Sequence, residues 1–119
     1  MYKISKEFAF SASHQLYGLN QDHPCARLHG HNYIITMHLK SESLNETGFV
    51  KDYRALSVVK DYIDAHLDHR HLNDVMNVNP TAENIAFFIY NQFKNQIPEL
   101  YAVEVSETPK TSAVYEADR

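Results

Sequence analysis

The chain has 119 residues, 44% of them hydrophobic and 22% charged, and its formal net charge at pH 7 is −4. This composition predicts a single folded domain over residues 1–119 and no membrane partner, because no apolar run approaches the length of a membrane span. The charge pattern also argues against a nucleic-acid partner, which would require a basic stripe of lysine and arginine.

Cysteine and histidine usage narrows the possible chemistry. The single cysteine, Cys25, cannot form an intramolecular disulfide, so it is a free thiol, a metal ligand, or a nucleophile or base. All eight histidines fall within residues 14–38 and 66–71, a grouping that favours function over chance. The N-terminus lacks the apolar core of a signal peptide, so we expect a cytoplasmic protein.

Residues 2–14 alternate between apolar and polar side chains, which predicts a half-buried antiparallel strand. The inner face of this strand ends at His14, and Lys6 is its one charged exception. The apolar residues that share this face are Ile4, Phe8, Phe10 and Ala12.

A loop over residues 17–24 leads to a second strand from about His29 to Lys40. Because residues i and i+2 of a strand point to the same face, His29 and His31 aim two imidazoles at one point, and Gly30 adds no side chain between them. Antiparallel pairing with the first strand brings His14 beside them. Three histidines are a ligand set of catalytic zinc with an open fourth position. The apolar residues that continue this face are Tyr33, Ile35, Met37 and Leu39.

Two other interpretations of this cluster stay open on spacing alone. Cys25 lies four residues before His29, so it can act as a fourth ligand in a closed structural zinc site of one cysteine and three histidines. The histidines can also be ordinary polar residues at a strand start, in a structural β-scaffold without metal.

The middle of the chain changes to helical spacing. The pattern predicts a first helix over about Tyr53–His66, with Asp52 as a candidate cap. After a loop at 77–81, Thr81 is a candidate N-cap for a second helix over about Ala82–Gln96.

Pro98 ends the second helix, and alternation resumes in a third long strand that carries Glu107 at its inner-face end. A short strand over 113–116 follows. The order ββααββ predicts an α+β fold, in which an antiparallel sheet has both helices packed on one face.

Two further positions are candidates for chemistry. Asp68 and His69 follow the first helix, where a carboxylate beside an imidazole can form a general acid–base pair. His66 and His71 lie close by, and sequence alone does not rank the three histidines. Glu107 either reaches solvent or binds a planar edge that presents two adjacent N–H donors.

Taken in order, these motifs resemble the 6-pyruvoyl-tetrahydropterin synthase family, and within it the bacterial 6-carboxy-5,6,7,8-tetrahydropterin synthases of queuosine biosynthesis. The resemblance runs essentially end to end and rests on the order and spacing of its segments. These are Phe8-x-Phe10-x-Ala12-x-His14, Cys25-x-x-x-His29-Gly30-His31-Asn32-Tyr33, Gly48-Phe49-Val50-x-Asp52-Tyr53, Leu67-Asp68-His69, Asn79-Pro80-Thr81-x-Glu83 and Glu107-Thr108.

The resemblance implies the tunnelling fold (T-fold), whose subunits form trimeric barrels that stack as a homohexamer, a dimer of trimers. It also implies a zinc-dependent lyase that converts 7,8-dihydroneopterin triphosphate to 6-carboxy-5,6,7,8-tetrahydropterin, acetaldehyde and triphosphate. Pterin synthases that make a pyruvoyl or hydroxymethyl product on the same scaffold are the nearest alternative.

The family pattern also assigns a role to each candidate residue. It implies that Zn²⁺ is held by His14, His29 and His31, and that Cys25 is a base rather than a ligand. In the same way it implies that Asp68 and His69 form the opposing acid–base dyad and that Glu107 anchors the pterin edge.

Overall fold

One five-stranded sheet organises residues 1–118, the part of the chain that the computed structural model describes. The strands are β1 (Tyr2–His14), β2 (His29–Ser41), β3 (Arg70–His71), β4 (Leu100–Thr108) and β5 (Thr111–Glu116), in the spatial order β3-β1-β2-β4-β5. The helices are α1 (Ser57–His66) and α2 (Ala82–Phe93), with short 3₁₀ turns at Pro24–Ala26, Tyr53–Leu56 and Leu72–Asp74.

The four longer strands pair in antiparallel fashion, which confirms the α+β prediction from alternation. β1 and β2 pair along their whole length, from Tyr2 opposite Ser41 to His14 opposite His29. The sequence did not predict β3, which pairs parallel with β1 at Ala12 and Ser13 and makes the sheet mixed. A strand of two residues is too short to produce an alternation signal.

Both helices pack on one face of the sheet, as predicted. The inner-face side chains of β1, β2 and β4 join the apolar faces of α1 and α2 in a single buried cluster. Burying one large side chain of this kind contributes roughly 1.5–3 kcal/mol, so the shared core fixes the strand register. Members that are almost fully buried include Tyr33, Ile35, Met37, Leu39, Ile63, Ile85, Ile89, Val103 and Val105.

The predicted helix limits need two corrections. The first helical segment begins as the 3₁₀ turn Tyr53–Leu56, in which Asp52 accepts a bond from the Arg54 amide, and only then becomes α1. The second is capped by Thr81 as predicted but ends at Phe93 rather than Gln96. Residues 94–96 continue as turns, and the Ile97 amide still donates to the Phe93 carbonyl at 2.8 Å just before Pro98.

Two features of the sheet are left uncovered by the helices. Its outer face carries polar side chains such as Glu7, Thr36 and Glu104. Beyond Ala12 and Ser13, the free edge of β1 has no strand beside it among residues 1–118, and β5 forms the opposite edge. No helix in this part of the chain is long and apolar enough to cross a bilayer.

Candidate metal centre and acid–base pair

Three imidazoles converge where β1 ends and β2 begins. One ring nitrogen from each of His14, His29 and His31 lies within 4.8 Å of the others, and the Nε2 atoms of His14 and His29 are 2.8 Å apart. The ring centroids are separated by 4.4–5.0 Å. The sequence prediction that these side chains share one face is confirmed, because the β1–β2 register sets His14 opposite His29.

Backbone carbonyls fix the orientation of two of the rings. His14 Nδ1 donates to the Pro80 carbonyl at 2.7 Å, and His29 Nδ1 donates to the Arg27 carbonyl at 2.7 Å. In the neutral imidazole, a proton on Nδ1 leaves a lone pair on Nε2. Both lone pairs therefore point into the cluster, an arrangement typical of metal-binding histidines, whose other nitrogen is held by a carbonyl or carboxylate.

Burial favours the neutral form of His14, the most deeply buried of the three histidines. The His14 side chain is only 1% exposed. Desolvation by burial lowers the pKa of His14, and nearby His29 and His31 lower it further, against the opposing effect of the Pro80 hydrogen bond. A neutral imidazole is the form that binds a metal ion.

His31 has a buried ring nitrogen that is available to a metal ion. Its Nε2 atom is buried and has no hydrogen-bond partner within residues 1–118, and Glu107 Oε2 lies 3.7 Å away, beyond hydrogen-bond distance. A buried nitrogen without a partner is costly, and a cation shared with His14 and His29 would satisfy it. The three histidines can therefore hold a metal ion.

Cys25 is not a member of this histidine cluster. It is half-buried in the 3₁₀ turn Pro24–Ala26, where its amide donates to the His23 side chain at 3.0 Å. Its carbonyl accepts a bond from the Leu16 amide at 2.9 Å, which ties the turn to the end of β1. Among residues 1–118, the compact group of possible ligands contains the three histidines and not Cys25. This geometry favours an open site over the closed four-ligand alternative.

Asp68 and His69 form a direct pair, with His69 Nδ1 2.9 Å from Asp68 Oδ2. Ser11 holds both residues against β1: its amide donates to Asp68 Oδ1 at 2.9 Å, and its carbonyl accepts from the His69 amide at 2.6 Å. The Ser11 hydrogen bond lowers the pKa of Asp68, and the bond from His69 lowers it further. The carboxylate therefore stays ionised and holds the His69 proton on Nδ1.

The other two histidines of this region have different partners. His71 Nδ1 lies 3.0 Å from the Ser13 hydroxyl, and the His66 ring packs on Tyr62 with a centroid separation of 4.8 Å. The structure thus ranks the three histidines that the sequence could not: of His66, His69 and His71, only His69 pairs with a carboxylate among the described residues. Ser11 and Ser13 carried no sequence signal beyond their outward-facing parity on β1.

The backbone of His69 is left-handed, with φ +58°, the only positive φ at a non-glycine position among the described residues. This conformation costs an L-residue roughly 1–2 kcal/mol. We predict that His69→Gly unfolds at a higher temperature than His69→Ala, by an amount equivalent to about 1 kcal/mol, because only glycine relieves the strain. Thermal denaturation of the two variants tests this, and equal stabilities would contradict it.

Two cavities meet at the start of β2, and both are bordered by Gly30, His31 and Asn32. The first, of about 490 Å³, also reaches His69. The second, of about 850 Å³, extends over the outer sheet face to Glu107. A side chain on Gly30 would meet the Ala12 carbonyl at 3.3 Å, so glycine keeps this junction open. His31, His69 and Glu107 thus border two adjoining cavities.

Comparison with known proteins matches this chain over nearly its whole length. The family model described as 6-pyruvoyl tetrahydropterin synthase matches residues 3–118. A 6-carboxy-5,6,7,8-tetrahydropterin synthase from Synechocystis is 39% identical, with 100% of this chain and 96% of the relative covered. Human 6-pyruvoyl tetrahydrobiopterin synthase is 32% identical, with 98% of this chain and 92% of the relative covered.

A solved structure gives the same result for the fold. The 6-pyruvoyl tetrahydropterin synthase of Caenorhabditis elegans superposes with a TM-score of 0.85 at 26% identity, covering 98% of this chain and 96% of that one. The similarity therefore extends over nearly the whole length of both proteins, and the T-fold predicted from the motifs is confirmed.

Proposed function

This chain belongs to the 6-pyruvoyl tetrahydropterin synthase family, and from that membership we propose that it is a zinc-dependent 6-carboxy-5,6,7,8-tetrahydropterin synthase. Its proposed substrates are 7,8-dihydroneopterin triphosphate and one water molecule, and its proposed products are 6-carboxy-5,6,7,8-tetrahydropterin, acetaldehyde and triphosphate. The observation that carries the proposal is the convergence of the three histidines, one of which, His31, borders a cavity with His69 and a second cavity with Glu107.

We propose Zn²⁺ as the metal because imidazole nitrogens suit it and because three neutral ligands leave a position open for substrate. His14, His29 and His31 would hold it. When bound, zinc would supply Lewis-acid stabilisation of the oxygen atoms on the substrate side chain.

The proposed roles of the remaining residues follow from their chemistry and surroundings. Cys25, as thiolate, takes a proton from the substrate side chain. His69 moves a proton at Nε2, because its Nδ1 is held by the ionised Asp68 carboxylate. Glu107 accepts hydrogen bonds from two adjacent N–H groups of the pterin edge, as a carboxylate does in a bidentate contact.

The nearest alternative is a pterin synthase that makes a different product, since relatives of both names match this chain. Incubating the metal-loaded protein with 7,8-dihydroneopterin triphosphate separates the two. We expect acetaldehyde in an enzymatic assay and a carboxylated pterin by mass spectrometry, in equal amounts. A pyruvoyl pterin without acetaldehyde would support the alternative, and unchanged substrate would contradict both.

We also propose that the subunits assemble edge to edge into trimers and then into a hexamer. The support is the open edge of β1 over residues 2–11 and the edge strand β5, each of which offers unpaired backbone groups to another chain. Analytical ultracentrifugation should give a six-subunit mass, and a monomer at micromolar concentration would contradict the assembly. The queuosine pathway and the cytoplasmic location stay predictions.

A further inference from the structure

The two cavities at the metal centre differ in charge. Three carboxylates border the larger one, from Glu7, Glu104 and Glu107. No aspartate or glutamate borders the smaller one among the described residues, although the whole chain carries a net charge of −4. The smaller cavity is instead bordered by Arg70 and by three histidines, His31, His69 and His71. A cavity of this composition suits an anion.

Several hydrogen-bond donors at the smaller cavity are not used by the protein itself. Asn32 Oδ1 accepts from the Ser11 hydroxyl at 2.6 Å, which leaves the two N–H groups of its amide without a partner among residues 1–118. His71 is bound through Nδ1 to Ser13, which leaves Nε2. One N–H of the Arg70 guanidinium donates to the Ala65 carbonyl at 3.0 Å, and the group has five.

The nearest carboxylate does not compete for this space. Asp68 is close to His69, but Oδ1 accepts from the Ser11 amide and Oδ2 pairs with His69 Nδ1. Both of its oxygens are therefore occupied by protein donors. An anion in this cavity would thus not face an unpaired carboxylate oxygen of Asp68.

We propose that the smaller cavity is a polyphosphate subsite, in which Arg70, Asn32 and His71 bind the phosphate chain of the substrate. Guanidinium, amide and imidazole N–H groups are the donors that phosphate oxygens accept, and a guanidinium binds two such oxygens at once. The inference rests on the proposed function, because that reaction has a triphosphate-bearing substrate.

The position of the cavities gives the bound substrate a direction. Glu107 borders the larger cavity and would hold the pterin ring, while the phosphate chain would lie in the smaller one. The carbon side chain that joins these two parts would then cross the boundary at His31. The reacting atoms would lie at the metal centre, between the two anchors.

Isothermal titration of the metal-loaded protein with inorganic tripolyphosphate tests the subsite directly. Arg70→Ala removes the guanidinium, and Asn32→Asp adds a negative charge with almost unchanged shape. Each should weaken tripolyphosphate binding roughly ten- to a hundredfold. Arg54→Ala and Asn77→Asp make the same charge changes at exposed sites outside both cavities and should leave affinity unchanged.

Tripolyphosphate also binds metal ions, so the titration is repeated with His29→Ala. If binding disappears with the metal but is unaffected by Arg70→Ala and Asn32→Asp, the anion sits on the metal and the subsite is overturned. Equal weakening by the cavity variants and by their exposed controls would overturn it as well, because general charge would then explain the effect. Circular dichroism confirms that each variant is folded.

A second ligand separates this inference from the proposed function. Unphosphorylated 7,8-dihydroneopterin should bind to Arg70→Ala as to the unmodified protein, and it should bind more weakly to Glu107→Gln. Loss of dihydroneopterin binding in Arg70→Ala would overturn the division into two subsites. A different outcome is that dihydroneopterin fails to bind even to the unmodified protein, while Arg70→Ala still weakens tripolyphosphate binding. In that case the proposed function fails and the anion subsite stands.

Discussion

His29→Ala is expected to lose stable metal binding and, with it, all measurable turnover. His29 Nε2 lies 2.8 Å from His14 Nε2, and its ring is aimed by the Arg27 carbonyl, so its removal leaves two ligands. Mutation of a residue that hydrogen-bonds to a metal ligand typically lowers metal affinity about 10- to 100-fold. Removal of a ligand itself should lower the affinity more. Zinc per subunit, measured by atomic emission after dialysis, should fall from near one to near zero.

His29 is the ligand candidate to replace because its substitution should affect folding less than substitution of His14. His14 is 1% exposed, so its loss would also leave a hole in the core, whereas His29 is half-buried at the start of β2. His38→Ala is the matched control, because His38 pairs with Glu104 away from the cluster. It should keep its zinc. Full metal content in His29→Ala would refute the three-histidine site.

Cys25→Ala is expected to retain zinc and to lower kcat by a factor of about 10²–10⁴, the usual contribution of a general acid or base. Retention is expected because Cys25 lies outside the group of histidines whose ring nitrogens converge. The side chain is half-buried and small, so alanine should cost little stability. Metal content and single-turnover kinetics on the same preparation measure both quantities.

A loss of zinc in Cys25→Ala would revive the closed structural site and remove the proposed base. Disturbance of the turn itself is controlled by His23→Ala, which removes the acceptor of the Cys25 amide but leaves the thiol. This variant should retain most of the activity. If the kcat of His23→Ala falls as far as that of Cys25→Ala, the activity depends on the structure of the turn rather than on the thiol.

The strands and the histidine cluster could be predicted from the sequence because both depend on local periodicity. Alternation with a period of two put His14, His29 and His31 on one face, and the long β1–β2 pairing set them side by side. Helix limits were less accurate, because Tyr53–Leu56 forms a 3₁₀ turn and because turns replace the regular helix after Phe93. The fold itself was predicted correctly.

The acid–base pair shows where periodicity stops being informative. Adjacent residues such as Asp68 and His69 do not touch in a regular helix or strand. Their contact depends on the positive φ of His69 and on the two backbone groups of Ser11, a residue 57 positions away from Asp68. Neither feature leaves a trace in the local pattern, because each is created by the packing of one segment on another.

By itself, then, the sequence determined which residues face the core, which can bind a metal, and which family the motifs resemble. These properties follow from side-chain chemistry and from the repeat of the backbone. The tertiary structure alone decided that Cys25 stands outside the histidine group, that the Pro80 carbonyl orients His14, and that Arg70 and Asn32 border one cavity that no carboxylate from the described residues lines. The last two depend on segments that meet across dozens of residues and are held by the shared hydrophobic core, whereas the first depends on the short connection between β1 and β2.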